Sequence, residues 1–140
     1  MTGTTPSLAV PPAPAIDPSA GWFDGFDRRV FTVNGLPVCA RISGDWHSRG
    51  DRPVLVLLHG FPQTHAMWHR VAQALKGDYR LLLPDLRGYG DSSHAPGLPD
   101  HSNYSKRAMA QDVVGLLDQL GVDRFFLCGH DRGGRVAHRL

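Results

Sequence analysis

The segment Gly129-His130-Asp131-Arg132-Gly133-Gly134 follows directly on the apolar run Arg124 to Cys128, and it narrows the possible folds more than any other stretch of the chain. A small residue stands two positions before a central acid and another two positions after it. A strand that turns into a helix over so few residues brings backbones close together. Only small side chains fit on either side of such a turn, and the residue at its apex takes a strained backbone conformation. The turn lifts that residue, here Asp131, above the end of a sheet. Backbone N–H groups at the start of the helix can then hold developing negative charge.

The rest of the chain supplies a sheet for this turn. Arg28 to Val33 reads as a strand, Asn34-Gly35 as a hairpin turn, and Leu36 to Ser43 as the returning strand. Gly44 to Pro53 is a polar loop. Val54 to Leu58 is wholly apolar and rich in β-branched residues, as a parallel strand covered on both faces must be. After Thr64, the apolar residues Met67, Trp68, Val71, Ala72 and Leu75 keep a helical period. Tyr79 to Leu83 and Arg124 to Cys128 are two further buried strands. Between them Ser105 opens a helix with apolar positions at Ala108, Met109, Val113, Leu116, Leu117 and Leu120, and Gly121 closes it. A last helix begins at Arg135. A hairpin followed by alternating strands and helices predicts an α/β fold with a mostly parallel sheet. Ahead of it, residues 1–20 carry Pro6, Pro11, Pro12, Pro14 and Pro18 and are expected to form a disordered leader. Residues 21–140 form the domain.

Composition removes several classes of function. A net charge of +2 gives no field suited to nucleic acid or a membrane surface. The longest apolar run, Val54 to Leu58, is too short to span a bilayer, and the N-terminus lacks the pattern of a secretory signal. Cys39 and Cys128 cannot build a disulfide framework or a four-ligand zinc site, so reduced thiols in the cytoplasm are expected. His65 and His69 stand four apart, but no Glu follows His65, so no metal is expected. The loop around Gly88-Tyr89-Gly90 lacks the third glycine and the lysine of a phosphate cradle and reads as a structural loop at the site's rim. Lys106 and Arg107 read as a solvated helix start, and His59 as a structural hydrogen-bonder.

The identity of Asp131 selects the chemistry. A carboxylate with an ordinary pKa of about 3.9 is ionised at neutral pH and attacks without a base. It suits displacement of a leaving group at an sp³ carbon, which leaves an ester on the enzyme for activated water to hydrolyse. A serine there would need its histidine before the first step. Arg132 and Arg135 are three apart and share a helix face beside Asp131. Two guanidinium groups there can clamp a carboxylate through charge-assisted, partly bidentate hydrogen bonds.

Four blocks carry a resemblance: Leu58 to Thr64 (Leu-His-Gly-Phe-Pro-Gln-Thr), Asp85 to Ser92, Tyr104 to Ala110, and Gly129 to Val136. From about Phe26 to Leu140 the chain resembles the N-terminal half of the haloacetate (fluoroacetate) dehalogenases, a family of the α/β-hydrolase superfamily. The first two blocks recur across that superfamily, whereas the last is more selective. Epoxide hydrolases and haloalkane dehalogenases usually carry Trp after the nucleophile, and this chain has Arg132.

The resemblance implies that Asp131 displaces halide from a halogenated carboxylate and that Arg132 and Arg135 hold the substrate's carboxylate. It implies an oxyanion hole made of the backbone N–H groups of Phe61 and Arg132, with no cofactor and no metal. A homodimer of the full-length protein stays open. The family's acid, histidine, cap domain and later strands would all lie after Leu140, so the chain is expected to be an incomplete α/β-hydrolase domain in which the strand ending at Cys128 forms an exposed apolar edge. By itself it is expected to form no ester adduct, because the halide pocket belongs to the cap. The alternatives are an epoxide hydrolase or another α/β hydrolase, and an inactive truncated fragment.

Overall fold

A computed structural model describes residues 20–94, 96–100 and 102–140. Apart from Ala20, the leader expected over 1–20 lies outside the described residues. The chain forms β1 (Phe26–Val33), β2 (Leu36–Ser43), β3 (Val54–Leu58), α1 (His69–Leu75), β4 (Arg80–Pro84), α2 (Lys106–Gln119), β5 (Phe126–Gly129) and α3 (Arg132–His138). One sheet orders the strands β1-β2-β4-β3-β5. β1 and β2 pair antiparallel from Phe26↔Ser43 to Val33↔Leu36 around a turn in which Asn34 and Gly35 both have positive φ. β2 joins β4 antiparallel, while β4, β3 and β5 run parallel.

The apolar runs of β3 and β4 divide between two cores. Val54, Val56 and Leu58 of β3 join Leu82 of β4 on one face, packed by Met109, Val113, Leu116 and Leu117 of α2 and Val136 of α3. Leu57 of β3 with Leu81 and Leu83 of β4 face the other way, onto Phe23, Trp68 and Ala72 of α1. Layers on both faces explain why Val54 to Leu58 and Leu81 to Leu83 are apolar throughout, with each fully buried leucine contributing about 2 kcal/mol.

α2 starts where its cap dictates. The Ser105 hydroxyl accepts the N–H of Ala108 at 3.1 Å. Its end is closed by the N–H of Val122 donating to the carbonyl of Leu117 at 2.9 Å, past Gly121 at φ +72°. Arg87, in the loop after β4, forms a two-pronged ion pair with Asp112 of α2: Nε to Oδ2 at 3.0 Å and Nη2 to Oδ1 at 2.7 Å. Both side chains are buried, so this pair anchors the loop to the helix.

Three expectations need correction. The stretch after Thr64 begins as a 3-10 turn, His65–Trp68, before becoming α1. The strand read over Arg124 to Cys128 starts at Phe126; its position at the edge of the sheet, with Phe126 61% exposed, agrees with the expectation that this strand forms an exposed apolar edge in this chain. An apolar run is the same in sequence whether it lies inside a sheet or at its margin. The last helix begins at Arg132, not Arg135. Gly133 and Gly134 are poor helix formers, but packing and the bond from Arg135 N–H to the carbonyl of Asp131 at 3.2 Å hold them in the first turn.

Candidate active site

Parallel pairing of β3 and β5 creates the site. Leu58 is in register with Gly129, so the loops leaving both strands emerge side by side at the carboxyl ends of the sheet, where α/β folds bind ligands. The N–H of His130 donates to the carbonyl of Leu58 at 3.0 Å and locks the two exits together.

Asp131 stands at φ 54°, ψ −115°, a conformation that costs an ordinary residue energy and persists only where the surroundings enforce it. The neighbouring glycines make it possible. A β-carbon on Gly133 would run into the carbonyl oxygens of Leu58 and His59, and one on Gly129 would lie 2.5 Å from the carbonyl oxygen of Gly133. The exposed carboxylate thereby sits against the chain leaving β3, and Phe61 N–H donates to its Oδ2 at 3.1 Å. Hydrogen bonds from the Phe61 and Arg132 backbone N–H groups, with a smaller contribution from the charge of Arg135, hold the carboxyl below its ordinary pKa. The group is therefore ionised across the neutral range. One of its oxygens, Oδ2, is held by the Phe61 N–H.

The two arginines take different neighbours. The Arg132 guanidinium lies 5.4 Å from the Phe61 ring centre and 5.9 Å from that of Tyr89. Those rings meet at 80° with centroids 6.4 Å apart, so they grip the cation from two sides. Arg135 is exposed and lines a cleft of about 450 Å³ together with Lys106, Asp131, Gly134, His138 and Arg139. The structure thus brings Asp131, the Phe61 N–H and Arg135 together, and it stations Arg132 on an aromatic pair beside them.

Two contributors were not legible beforehand. Lys106 is half-buried and faces the cleft, whereas a solvated helix start was expected. The Ser105 cap places Lys106 at the first position of α2, but nothing local says what that position faces. Tyr89, read as part of a structural loop, reaches Arg132. Its Gly-Tyr-Gly setting was the available signal.

His59, His65 and His69 are bonded to protein groups. His59 is buried; its Nε2 accepts from the N–H of Leu86 at 3.0 Å and its Nδ1 lies 3.0 Å from the carbonyl of Gly60. Burial pushes its pKa down, so the ring is neutral. His65 Nδ1 lies 2.8 Å from Asp85 Oδ1, and its Nε2 accepts from Arg41 Nε at 3.3 Å. His69 turns its Nδ1 to the carbonyl of Ala66. Cys39, Asp85 and Asp91 hold potential ligand atoms within 4.8 Å of one another. Burial pushes the Cys39 thiol up to about 11, however, and Asp85 already accepts from His65 and Asp91. That trio is a protonated thiol beside a committed carboxylate, a poor cation cage.

A sheet with an antiparallel start and parallel continuation, ending in an acid on a strained strand-to-helix turn, defines an α/β-hydrolase arrangement. The profile of the alpha/beta hydrolase fold matches residues 53–140, and the chain belongs to that family. It is similar to a fluoroacetate dehalogenase from Burkholderia sp., 49% identical over 118 residues, or 84% of this chain and 37% of that protein. It is also similar to epoxide hydrolase 2 from Siraitia grosvenorii, 45% identical over 64% of this chain and 28% of that protein. Among solved structures, a candidate acyltransferase from Salmonella enterica superposes with a TM-score of 0.79 at 48% identity, covering 86% of this chain and 38% of the other. The chain therefore spans less than two fifths of the length of these relatives. Among the described residues, no helix is long and apolar enough to cross a membrane.

Proposed function

We propose that the protein is a hydrolase of the aspartate-nucleophile type that acts on halogenated carboxylates. The observation that carries this reading is a single one: an ionised Asp131 at a strained turn, flanked by arginines where a neutral alkyl substrate would need none. In this mechanism the second oxygen of Asp131, Oδ1, attacks the halogen-bearing carbon from behind and halide departs with the bonding electrons. The carbon becomes esterified to the enzyme. The oxygen held by Phe61 N–H becomes the ester carbonyl. When water adds to that carbonyl, negative charge develops on the same oxygen, which the Phe61 N–H already bonds, and the Arg132 N–H serves in this proposal as the second donor. Arg135 and Arg132 hold the substrate carboxylate and align the carbon for attack. Activation of the water needs a base. In the proposed reading that base, the acid that orients it and the halide pocket come from the full-length protein, beyond residue 140.

Similarity to epoxide hydrolases favours a second reading, in which the same Asp131 opens a neutral epoxide. Substrate charge separates the two. Binding of fluoroacetate and of neutral fluoroacetamide is followed by amide NMR shifts at Phe61 and Arg132. Fluoroacetate is expected to bind, fluoroacetamide is expected to bind at least tenfold more weakly, and Arg132→Ala is expected to remove most of the difference. Equal binding of the two, or discrimination unchanged in Arg132→Ala, would sink the carboxylate reading and leave the epoxide reading standing.

A further inference from the structure

Charge balance in the cleft beside Asp131 does not close for a simple haloacetate. Asp131 is the one acid among the residues that line it, against the fixed cations Lys106, Arg135 and Arg139, with His138 beside them. Arg132 lies close enough for its charge, like that of Arg135, to act on Lys106. Among the described residues, no ion pair engages Lys106, Arg132, Arg135 or Arg139. Some arginines elsewhere are paired with acids, as Arg87 is with Asp112 and Arg28 with Asp91. Gathering unmatched cations around one wall works against folding, because like charges repel and nothing local compensates them.

The charge count indicates what would compensate them. Asp131 neutralises one of the two arginines, and a monocarboxylate substrate neutralises the other. Two cations then remain on the cleft wall, the exposed Arg139 and the half-buried Lys106, of which Lys106 is the one partly withdrawn from solvent. Burial, followed by the charges of Arg132 and Arg135, pushes its ammonium below the usual lysine range, as expected of a cation waiting for an anion. We propose that Lys106 is a substrate-binding residue that pairs with a second carboxylate, so that the site selects halogenated dicarboxylates over haloacetates. One carboxylate would sit between Arg132 and Arg135 beside the reacting carbon, and the other would reach Lys106. This rests on the reading of the arginines as a carboxylate clamp.

The probes are acetate, succinate and sulfate, none of which can alkylate Asp131. Their binding to the 140-residue chain is measured by NMR titration at constant ionic strength. Succinate is expected to bind about fivefold tighter than acetate, the worth of one partly exposed charge pair. Lys106→Met is expected to erase most of that advantage while weakening acetate by less than about twofold, and Lys106→Glu to reverse it. Far-UV circular dichroism confirms that both variants fold. If acetate binds but succinate gains nothing, or the gain survives in Lys106→Met, the dianion proposal falls while the carboxylate clamp stands. If neither binds, both fall. An equal advantage for sulfate would mean general anion attraction and would overturn the dicarboxylate assignment.

Discussion

The backbone N–H of Phe61 lies 3.1 Å from Oδ2 of Asp131, across 70 positions of sequence. The side chain of Phe61 plays no part in this bond. The bond exists because β3 and β5 are parallel neighbours in a register that brings their exits together. Backbone donors, ahead of the charge of Arg135, therefore set the acidity of Asp131. Carboxyl-detected NMR should place the Asp131 midpoint below the ordinary value of about 3.9. Arg135→Gln should move it upward only slightly. A large rise in that variant would show that charge, and not the N–H groups, dominates.

Gly133 admits no side chain, because a β-carbon there would strike the carbonyl oxygens of Leu58 and His59. Those are backbone atoms of a central strand and its exit, and they cannot move aside cheaply. Gly133→Ala should cost about 2–3 kcal/mol in urea denaturation. A loss under about 0.5 kcal/mol would mean that the turn is looser than its geometry implies.

Arg87 and Asp112 are both buried and doubly bonded. Arg87→Met strands the Asp112 carboxylate, and a loss of about 3–5 kcal/mol is expected. Adding Asp112→Leu should recover most of it, since the double variant buries no unpaired charge. A double variant as unstable as the single one would show that the contact of Arg87 with the Asn103 carbonyl, at 2.5 Å, matters more than the ion pair.

Stability should fall on mild acidification because of His59. Its folded pKa lies below the 6.5 of the unfolded chain, chiefly through burial, so the unfolded state binds the proton first. The loss should begin as pH drops through about 6.5 and level off below the folded pKa. His59→Gln should flatten the slope in that window, and an unchanged slope would assign it elsewhere. Asp85 acts at lower pH. Burial by itself would raise its pKa, but hydrogen bonds from His65 and Asp91 outweigh that and hold it below 3.8. Its contribution is complete above about pH 4 and is lost as pH falls through the folded value.

Local rules were sufficient for much of the fold. Asn34-Gly35 dictates a tight hairpin because both residues accept positive φ, and Ser105 starts α2 because its hydroxyl satisfies an otherwise unpaired N–H. The uninterrupted apolar character of Val54 to Leu58 follows from cover on both faces. Asp131 stood out from its small neighbours and its place behind an apolar run. Each of these signals lies within a few residues of what it specifies.

Tertiary structure decided the rest. The exposure of Phe126 depends on strand order, which no residue of β5 encodes by itself. Arg132 and Arg135 are helix neighbours by spacing, yet one lies on the rings of Phe61 and Tyr89, brought in from the loops after β3 and β4, and the other faces the cleft. Lys106 joins Asp131 because α2 packs beside α3, although 25 positions separate them. Periodicity and capping report the shape of one element, whereas the surroundings of a charge are set by whichever elements the core draws together, and that information is spread over the whole chain.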